Sequence, residues 1–424
     1  MKPFPDKPES RKNPFSAAFG KRFPVRKTVP PASRAAPAED HLNIDERNAG
    51  RVRLPPATKT MNTMQIRDTP AGRSERRTPA DGTTAGAART ARRRWRSLLA
   101  GALAAGALAA GHAGDSSLPR QARPFTLVVL PDTQNYTDSS FGASPTYFYD
   151  QTRWIRENKE TLNIVMVAHE GDIVQHAPVV AEWRIASDAF TLLDDAVPYI
   201  LCLGNHDLAN DQSPAPDARR TLLNDYFPPA RFARNPTTEA HSPARGELGF
   251  LDAGRSDNFY RTFKGGGMDF LIIALEFKPR DRVLAWANRV VAEHPRHHCI
   301  VLTHGYLDAD GSRNLGRYQI TGNDSGEIWN KFVKRHANIF LLLCGHRLGE
   351  AVLTSVGEAG NPVHQILLDY QNNYLGKGGA GYLRIMIFHP DEGTIQNLTY
   401  SPSMRTYLRR PRSQFTLKWA PVPK

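Results

Sequence analysis

The chain has 424 residues and a formal charge of +13, with 55 Lys and Arg against 42 Asp and Glu. Residues 1–120 hold 23 basic and 10 acidic residues, so the whole excess lies there and residues 121–424 are neutral. That distribution excludes a nucleic-acid-binding reading from bulk charge, and three cysteines, Cys202, Cys299 and Cys344, exclude a disulfide framework.

Residues 1–90 are rich in Pro, Arg, Ala, Thr and Ser and lack sustained hydrophobic periodicity. Such a stretch buries too little apolar surface to offset its chain entropy, so a disordered basic leader is expected. Residues 91–114 have the parts of a secretory signal peptide. Arg92, Arg93, Arg94 and Arg96 form the basic region, Ser97–Gly111 the apolar region, and Gly111-His112-Ala113 the small-residue cleavage site. The run is too short for a membrane span, so no stable span is expected once the signal is removed. Export to the periplasm or the cell exterior follows. A signal belongs near the N-terminus, so a start at Met61 or Met64 is the expectation for the true protein.

From residue 121 to 424 apolar runs of four to eight residues alternate with helical or loop segments, as in βαβ units. Phe125–Leu130 (FTLVVL), residues 163–169 (NIVMVAH) and 197–203 (VPYILCL) are expected strands. Between them, residues 146–162 and 181–196 have helical spacing, with Trp154 and Trp183 toward the core. Residues 208–257 form a Pro- and Asp-rich excursion, and residues 258–277 a hairpin turning on Gly265-Gly266-Gly267. HCIVLTH, NIFLLLCGH, HQILLDY, YLRIMIF and TIQNLTY supply further strands, and His297 and His298 sit at a solvated edge. The fold class is α/β, with two stacked sheets and outer helices in one catalytic domain, 121–424.

Five expected strands run into polar residues. They end in Asp132-Thr133-Gln134, Gly171-Asp172, Gly204-Asn205-His206-Asp207, His304-Gly305 and Gly345-His346. The carboxyl edge of an open α/β sheet is where sites assemble. Taken singly, each Asp is a turn or a helix cap and each His a satisfied core residue. Gathered without thiolates, these oxygen and imidazole donors suit Mn, Fe, Zn or Mg and disfavour a structural zinc site.

This ordered set resembles the calcineurin-like metallophosphoesterases over nearly all of residues 124–400. The resemblance implies a four-layer αββα sandwich with two stacked mixed β-sheets. It also implies two divalent metal ions and hydrolysis of a phosphoester by a metal-bridging hydroxide. Asp172 matches the bridging carboxylate. Asn205, His304 and His346 match the other ligands of one metal, and Asp132 with Gln134 those of the second. His206 matches the histidine that contacts phosphate and protonates the leaving oxygen, with Asp207 placed to orient it. Two positions depart from the family pattern: Gln134 stands where a histidine is usual, and Leu348 replaces the closing histidine. The Asp132/Gln134 metal is therefore expected to be weaker and to be completed by water or another side chain, with His176 and Asn372 as candidates. Arg347, Tyr136 and Tyr306 are candidate substrate contacts. A small phosphorylated partner, monoester or diester, is expected and no nucleic acid. The alternatives are a degenerate phospho-ligand binder, suggested by Gln134 and Leu348, and a nuclease, which the neutral catalytic part does not support.

Overall fold

The computed structural model describes residues 123–208, 219–235, 246–316, 318, 320–371 and 377–420, all within one compact unit, His112–Lys424. The expected leader, signal peptide and Asn372 lie outside the described residues. In chain order the first strands are β1 (Phe125–Leu130), β2 (Ile164–His169), β3 (Tyr199–Leu201), β4 (Leu248–Phe250), β5 (Phe259–Gly265), β6 (Met268–Leu275) and β7 (His298–Gly305). Then come β8 (Ile339–Gly345), β9 (Gly349–Val356), β10 (Pro362–Asp369), β11 (Leu383–His389), β12 (Thr394–Ser401), β13 (Thr406–Leu408) and β14 (Gln414–Lys418).

They form two mixed seven-stranded sheets. One has the order β13-β12-β11-β1-β2-β3, with β14 also paired to β12; the other is β4-β5-β6-β7-β8-β10-β9. β1, β2 and β3 are parallel, as are β6, β7, β8 and β10. Every residue of β1, β2 and β8 is buried, which is why these strands are continuous apolar runs rather than alternating ones. Each fully buried Val, Leu or Ile contributes about 1.5–3 kcal/mol by leaving water. The β5–β6 hairpin turns on Gly266 and Gly267, both at positive φ as a two-residue turn of this hand requires.

Aromatic rings join the sheets face to face. Phe125 and Phe388 of the first stack at 4.7 Å, and Phe125 meets Phe270 of the second edge-on at 5.2 Å. Trp419 closes this layer against Phe270, Phe340, Phe388 and His298. His298 is therefore a core residue and not part of a solvated edge: burial in this ring cluster lowers its pKa to about 4, so it packs as a neutral imidazole. Outside the second sheet, the helix Asp281–Glu293 buries Val283, Leu284, Ala287, Val290 and Val291 against Leu271, Ile273 and Val301. Outside the first, Phe148 of helix Pro145–Asn158 meets Phe190 of helix Val180–Thr191, and Phe190 meets Tyr199. Trp183 is fully buried and donates its indole N–H to the Ala177 carbonyl at 2.8 Å. The three cysteines are free and buried. Among the described residues no helix is long and apolar enough to cross a membrane.

Candidate metal centre

The motif residues lie just past the carboxyl ends of β1, β2, β3 and β8, and at the end of β7. Backbone contacts pull these loops together. Thr133 N–H donates to the Asp172 carbonyl at 3.1 Å, and Thr133 Oγ1 donates to Ile173 O at 3.1 Å. His169 accepts from the Gly171 N–H through Nδ1, so its Nε2–H donates to Thr133 Oγ1 at 2.9 Å. Burial, then His304, lowers the His169 pKa to about 3, and the residue braces two loops as a neutral core histidine.

Two glycines let the loops approach. A Cβ on Gly204 would lie 2.0 Å from Asp172 Oδ1, and one on Gly345 would lie 2.0 Å from Asp132 Oδ1. Any other residue at either place would displace a carboxylate. Asp172 (φ 47°) and His346 (φ 75°) adopt the left-handed region, which costs on the order of 1–3 kcal/mol for a residue with a side chain. Such strain is characteristic of positions held for function.

One half of the site is built from imidazoles. His304 donates Nδ1–H to the Glu170 carbonyl at 2.8 Å, which leaves Nε2 free to act as a donor atom. That Nε2 lies 3.1 Å from Asp172 Oδ2, 3.2 Å from Asn205 Oδ1 and 3.2 Å from His346 Nδ1. Ligands sharing one ion at about 2.0–2.2 Å stand about 3.0–3.4 Å apart, and the three spacings from His304 Nε2 fall in that range. Asp172, His304 and His346 also meet as a buried group whose ligand atoms lie within 4.8 Å of one another. Burial alone would raise the Asp172 carboxyl, but His304, His206 and His346 around it hold it well below the ordinary range. Burial lowers His304, yet the Asp172 charge and hydrogen bond outweigh it and raise that imidazole. Burial and then His304 press His346 down to about 3. The surroundings thus favour a positive centre between these groups, the place a dication would take.

The other half is built from oxygens. Asp132 accepts the His346 N–H at 3.1 Å, and Gln134 donates Nε2–H to Asp172 Oδ2 at 3.1 Å and also to Gln371 Oε1. Gln134 Oε1 is buried with no hydrogen-bond partner. Asp369 and Glu170 add buried carboxyls, and both oxygens of Glu170 lack a hydrogen-bond partner. Burial, followed by Asp369, Asp172 and Glu170, raises Asp132 well above the usual carboxylate range; burial raises Asp369 to about 7. This accumulation of negative charge out of water fits a cation as its partner.

A family model described as calcineurin-like phosphoesterase matches residues 125–348. The chain belongs to this family. A curated relative, the uncharacterized protein YvnB of Bacillus subtilis (strain 168), is 29% identical over 299 residues, which are 68% of this chain and 21% of that protein. The chain therefore spans about a fifth of that relative's length. Among solved structures, GAP50, the anchor in the inner membrane complex of Plasmodium, is 11% identical with a TM-score of 0.37, covering 71% of this chain and 90% of its own. TT1561 of Thermus thermophilus is 11% identical with a TM-score of 0.32, covering 68% and 98%.

In this calcineurin-like phosphoesterase, Asp132, Gln134, Asp172, Asn205, His304 and His346 meet at one place. His206 joins them: its N–H donates to Asp172 Oδ1 at 2.9 Å, and its Nδ1–H donates to the Gln175 carbonyl at 2.9 Å. That bond leaves Nε2 unprotonated in the neutral ring, on a half-buried side chain. Asp207 does not orient it. The Asp207 carboxylate accepts the N–H groups of Ile173 (2.8 Å), Val174 (3.0 Å) and Gly204 (2.8 Å), so it ties the β2 and β3 loops together, and Gln175 sets the ring of His206.

The expected substrate tyrosines are elsewhere in purpose. Tyr306 is fully buried and its hydroxyl takes the Arg313 Nε–H at 3.1 Å; Tyr136 is 1% exposed and its hydroxyl accepts the Gly381 N–H at 3.0 Å. Both brace the scaffold and neither reaches solvent. Tyr318 meets His346 edge-on at 4.9 Å, and Phe277 meets it at 5.3 Å. Arg347 remains beside the site, with Nε 3.7 Å from Asp308 Oδ2 and Nη2 donating to the Leu315 carbonyl at 3.5 Å. His176 is held by Glu182 Oε1 at 2.8 Å on a half-exposed flank, bound to its own loop rather than to the site. Leu348 is 45% exposed and takes no part in the cluster.

Proposed function

We propose that the chain hydrolyses a small phosphorylated ester with the help of two divalent ions. Family membership supports phosphoester hydrolysis in general. The observation that carries the finer reading is the convergence of Asp172, Asn205, His304 and His346 beside a histidine whose Nε2 is left free. When bound, the ions lower the pKa of water and neutralise phosphate charge. Asp172 is the carboxylate common to both halves. His206, oriented by Gln175 O, holds its Nε2 where it exchanges a proton with the leaving oxygen, and Asn205 presents its amide to the phosphate side. Arg347 offers a guanidinium to a phosphate oxygen. The neutral charge of residues 121–424 supports a small substrate over a nucleic acid, and the signal-like segment supports action outside the cytoplasm.

The test is turnover of p-nitrophenyl phosphate and of its bis ester by chelator-stripped protein after addition of Mn, Mg, Fe or Zn. Hydrolysis of either ester with at least one metal is the expected result. Silence on both, with every metal, would favour the second reading, a phospho-ligand binder, whose motivating feature is the exposed Leu348 where the family has a ligand.

A further inference from the structure

The oxygen half of the site is short of one ligand by its motif, because Leu348 has no donor atom. Another residue reaches that half. Gln371 follows β10 by two positions and lies beyond residues 125–348, the segment shared with the family. Its backbone N–H donates to Asp369 Oδ1 at 2.7 Å. Its side-chain Nε2 donates to Asp369 Oδ2 at 2.8 Å and to the His346 carbonyl at 3.2 Å. Both amide hydrogens are thus used on the side of β10 and His346. The carbonyl oxygen, Oε1, is turned the other way and rests on the Gln134 amide, which itself lies 3.1 Å from Asp172 Oδ2.

Gln134 is the telling group. Its amide nitrogen sits between two oxygens, while its own Oε1 is buried and bonded to nothing. A half turn of that amide exchanges its ends and sets Gln134 Oε1, Gln371 Oε1 and Asp172 Oδ2 against one another. Three facing oxygens repel unless a cation lies among them. Asp132, on the His346 N–H, supplies a further carboxylate to the same half.

We propose that Gln371, anchored by Asp369, takes the place of the histidine missing at 348, and makes the Asp132 position an all-oxygen site for a hard divalent cation, Mg or Mn. It stands beside a position at His304 and His346 that suits a softer ion, so the two sites differ in metal preference. The inference rests on the metal-dependent reading above and adds the ligand and the selectivity of one half.

The experiment measures metal content by elemental mass spectrometry. The full chain is stripped with chelator, dialysed against Mg in excess over Zn, and compared with Gln371→Leu and Gln371→Glu; thermal unfolding confirms that each variant folds. The expected result is one Zn and one Mg per chain in the unaltered protein. Gln371→Leu loses the Mg and keeps the Zn, and Gln371→Glu keeps both. With Mn in both sites, the spin-coupled pair signal disappears in Gln371→Leu. A single ion in the unaltered chain would overturn the assignment, as the Gln134–Gln371 hydrogen bond would then close the position. So would a Gln371→Leu variant that keeps both ions, or Zn filling both sites in excess Mg. A chain that binds no ion even at His304 fails at the broader metal-dependent reading, a result distinct from these three.

Discussion

The two halves of the site share one carboxylate and little else. Around His304 and His346 two imidazoles, held by backbone carbonyl and ring contacts, stand with Asn205 Oδ1, and every residue of that half matches the family pattern. Around Asp132 the donors are oxygens, two of the expected residues are replaced, and the order comes from a glutamine pair and buried carboxyls. The difference teaches that one half of the site keeps the family pattern while the other departs from it, with Asp172 common to both. Asp172 is that hinge: Oδ2 faces both His304 Nε2 and Gln134 Nε2, while Oδ1 takes the His206 N–H.

Removing the hinge is the strongest way to break the comparison. Asp172→Asn has no charge to offer either half and puts a donor where an acceptor is needed. Both ions should be lost on dialysis and turnover should fall to background, as metal content and single-turnover rates measure. Retention of one ion would mean that the two halves are more independent than the shared oxygen implies.

Next in size is His206→Ala, which separates proton transfer from metal holding. Positioned general acids contribute roughly 10²–10⁴-fold, so turnover should fall by that factor while metal content stays unchanged. An ester with a very acidic leaving group should be spared, because it needs no proton. Equal loss with both kinds of ester would move His206 from proton transfer to phosphate binding.

These contrasts bear on what the chain discloses before it folds. The strands were legible because buried parallel strands are unbroken apolar runs: FTLVVL is β1 without a change of boundary, and the Gly266-Gly267 hairpin has its turn where the glycines are. The imidazole half was legible for the same reason, since each donor follows such a run. Gln371 was not. It too follows an apolar run, LLDY, yet it meets Gln134 across 237 residues of chain, and an amide carries no spacing signature. Side-chain direction was equally hidden. His206 and Asp207 are adjacent, which suggests a pair, but the turn sends one ring to Gln175 O and the other side chain into three backbone amides. Tyr136 and Tyr306 adjoin motif residues in sequence and point into the core. His298 opens β7 like an edge residue, but Phe270, Phe340 and Trp419, brought in from distant parts of the chain, bury it.

Asp207 offers a third, smaller test, in which loop closure and catalysis come apart. In Asp207→Asn the amide end faces the Gly204 N–H, donor against donor, inside the protein. An unsatisfied buried group costs about 1–3 kcal/mol. The urea midpoint should drop accordingly with little change in slope. The shape of the pH–rate profile should persist, because the ring of His206 leans on Gln175. A profile that loses its acid or base limb would restore Asp207 as the partner of His206.

The smallest expected effect belongs to Arg347, which lies directly beside His346 and so samples the border between the halves and the substrate. Its contacts are long, 3.7 Å to Asp308 and 3.5 Å to Leu315 O, so little in the protein competes for its guanidinium. A hydrogen bond to a charged group contributes about 1.5–3 kcal/mol, and partial exposure places Arg347 at the lower end of that range. Arg347→Ala should therefore raise KM roughly tenfold with kcat nearly unchanged, since contact with the ground-state phosphate and with the transition state would be lost alike. Arg347→Lys should recover part of that loss as a point charge without the two-pronged geometry. If kcat falls instead and KM holds, the guanidinium acts on charge that develops only during reaction. That result would tie Arg347 to the chemistry itself, on the His346 side of the comparison.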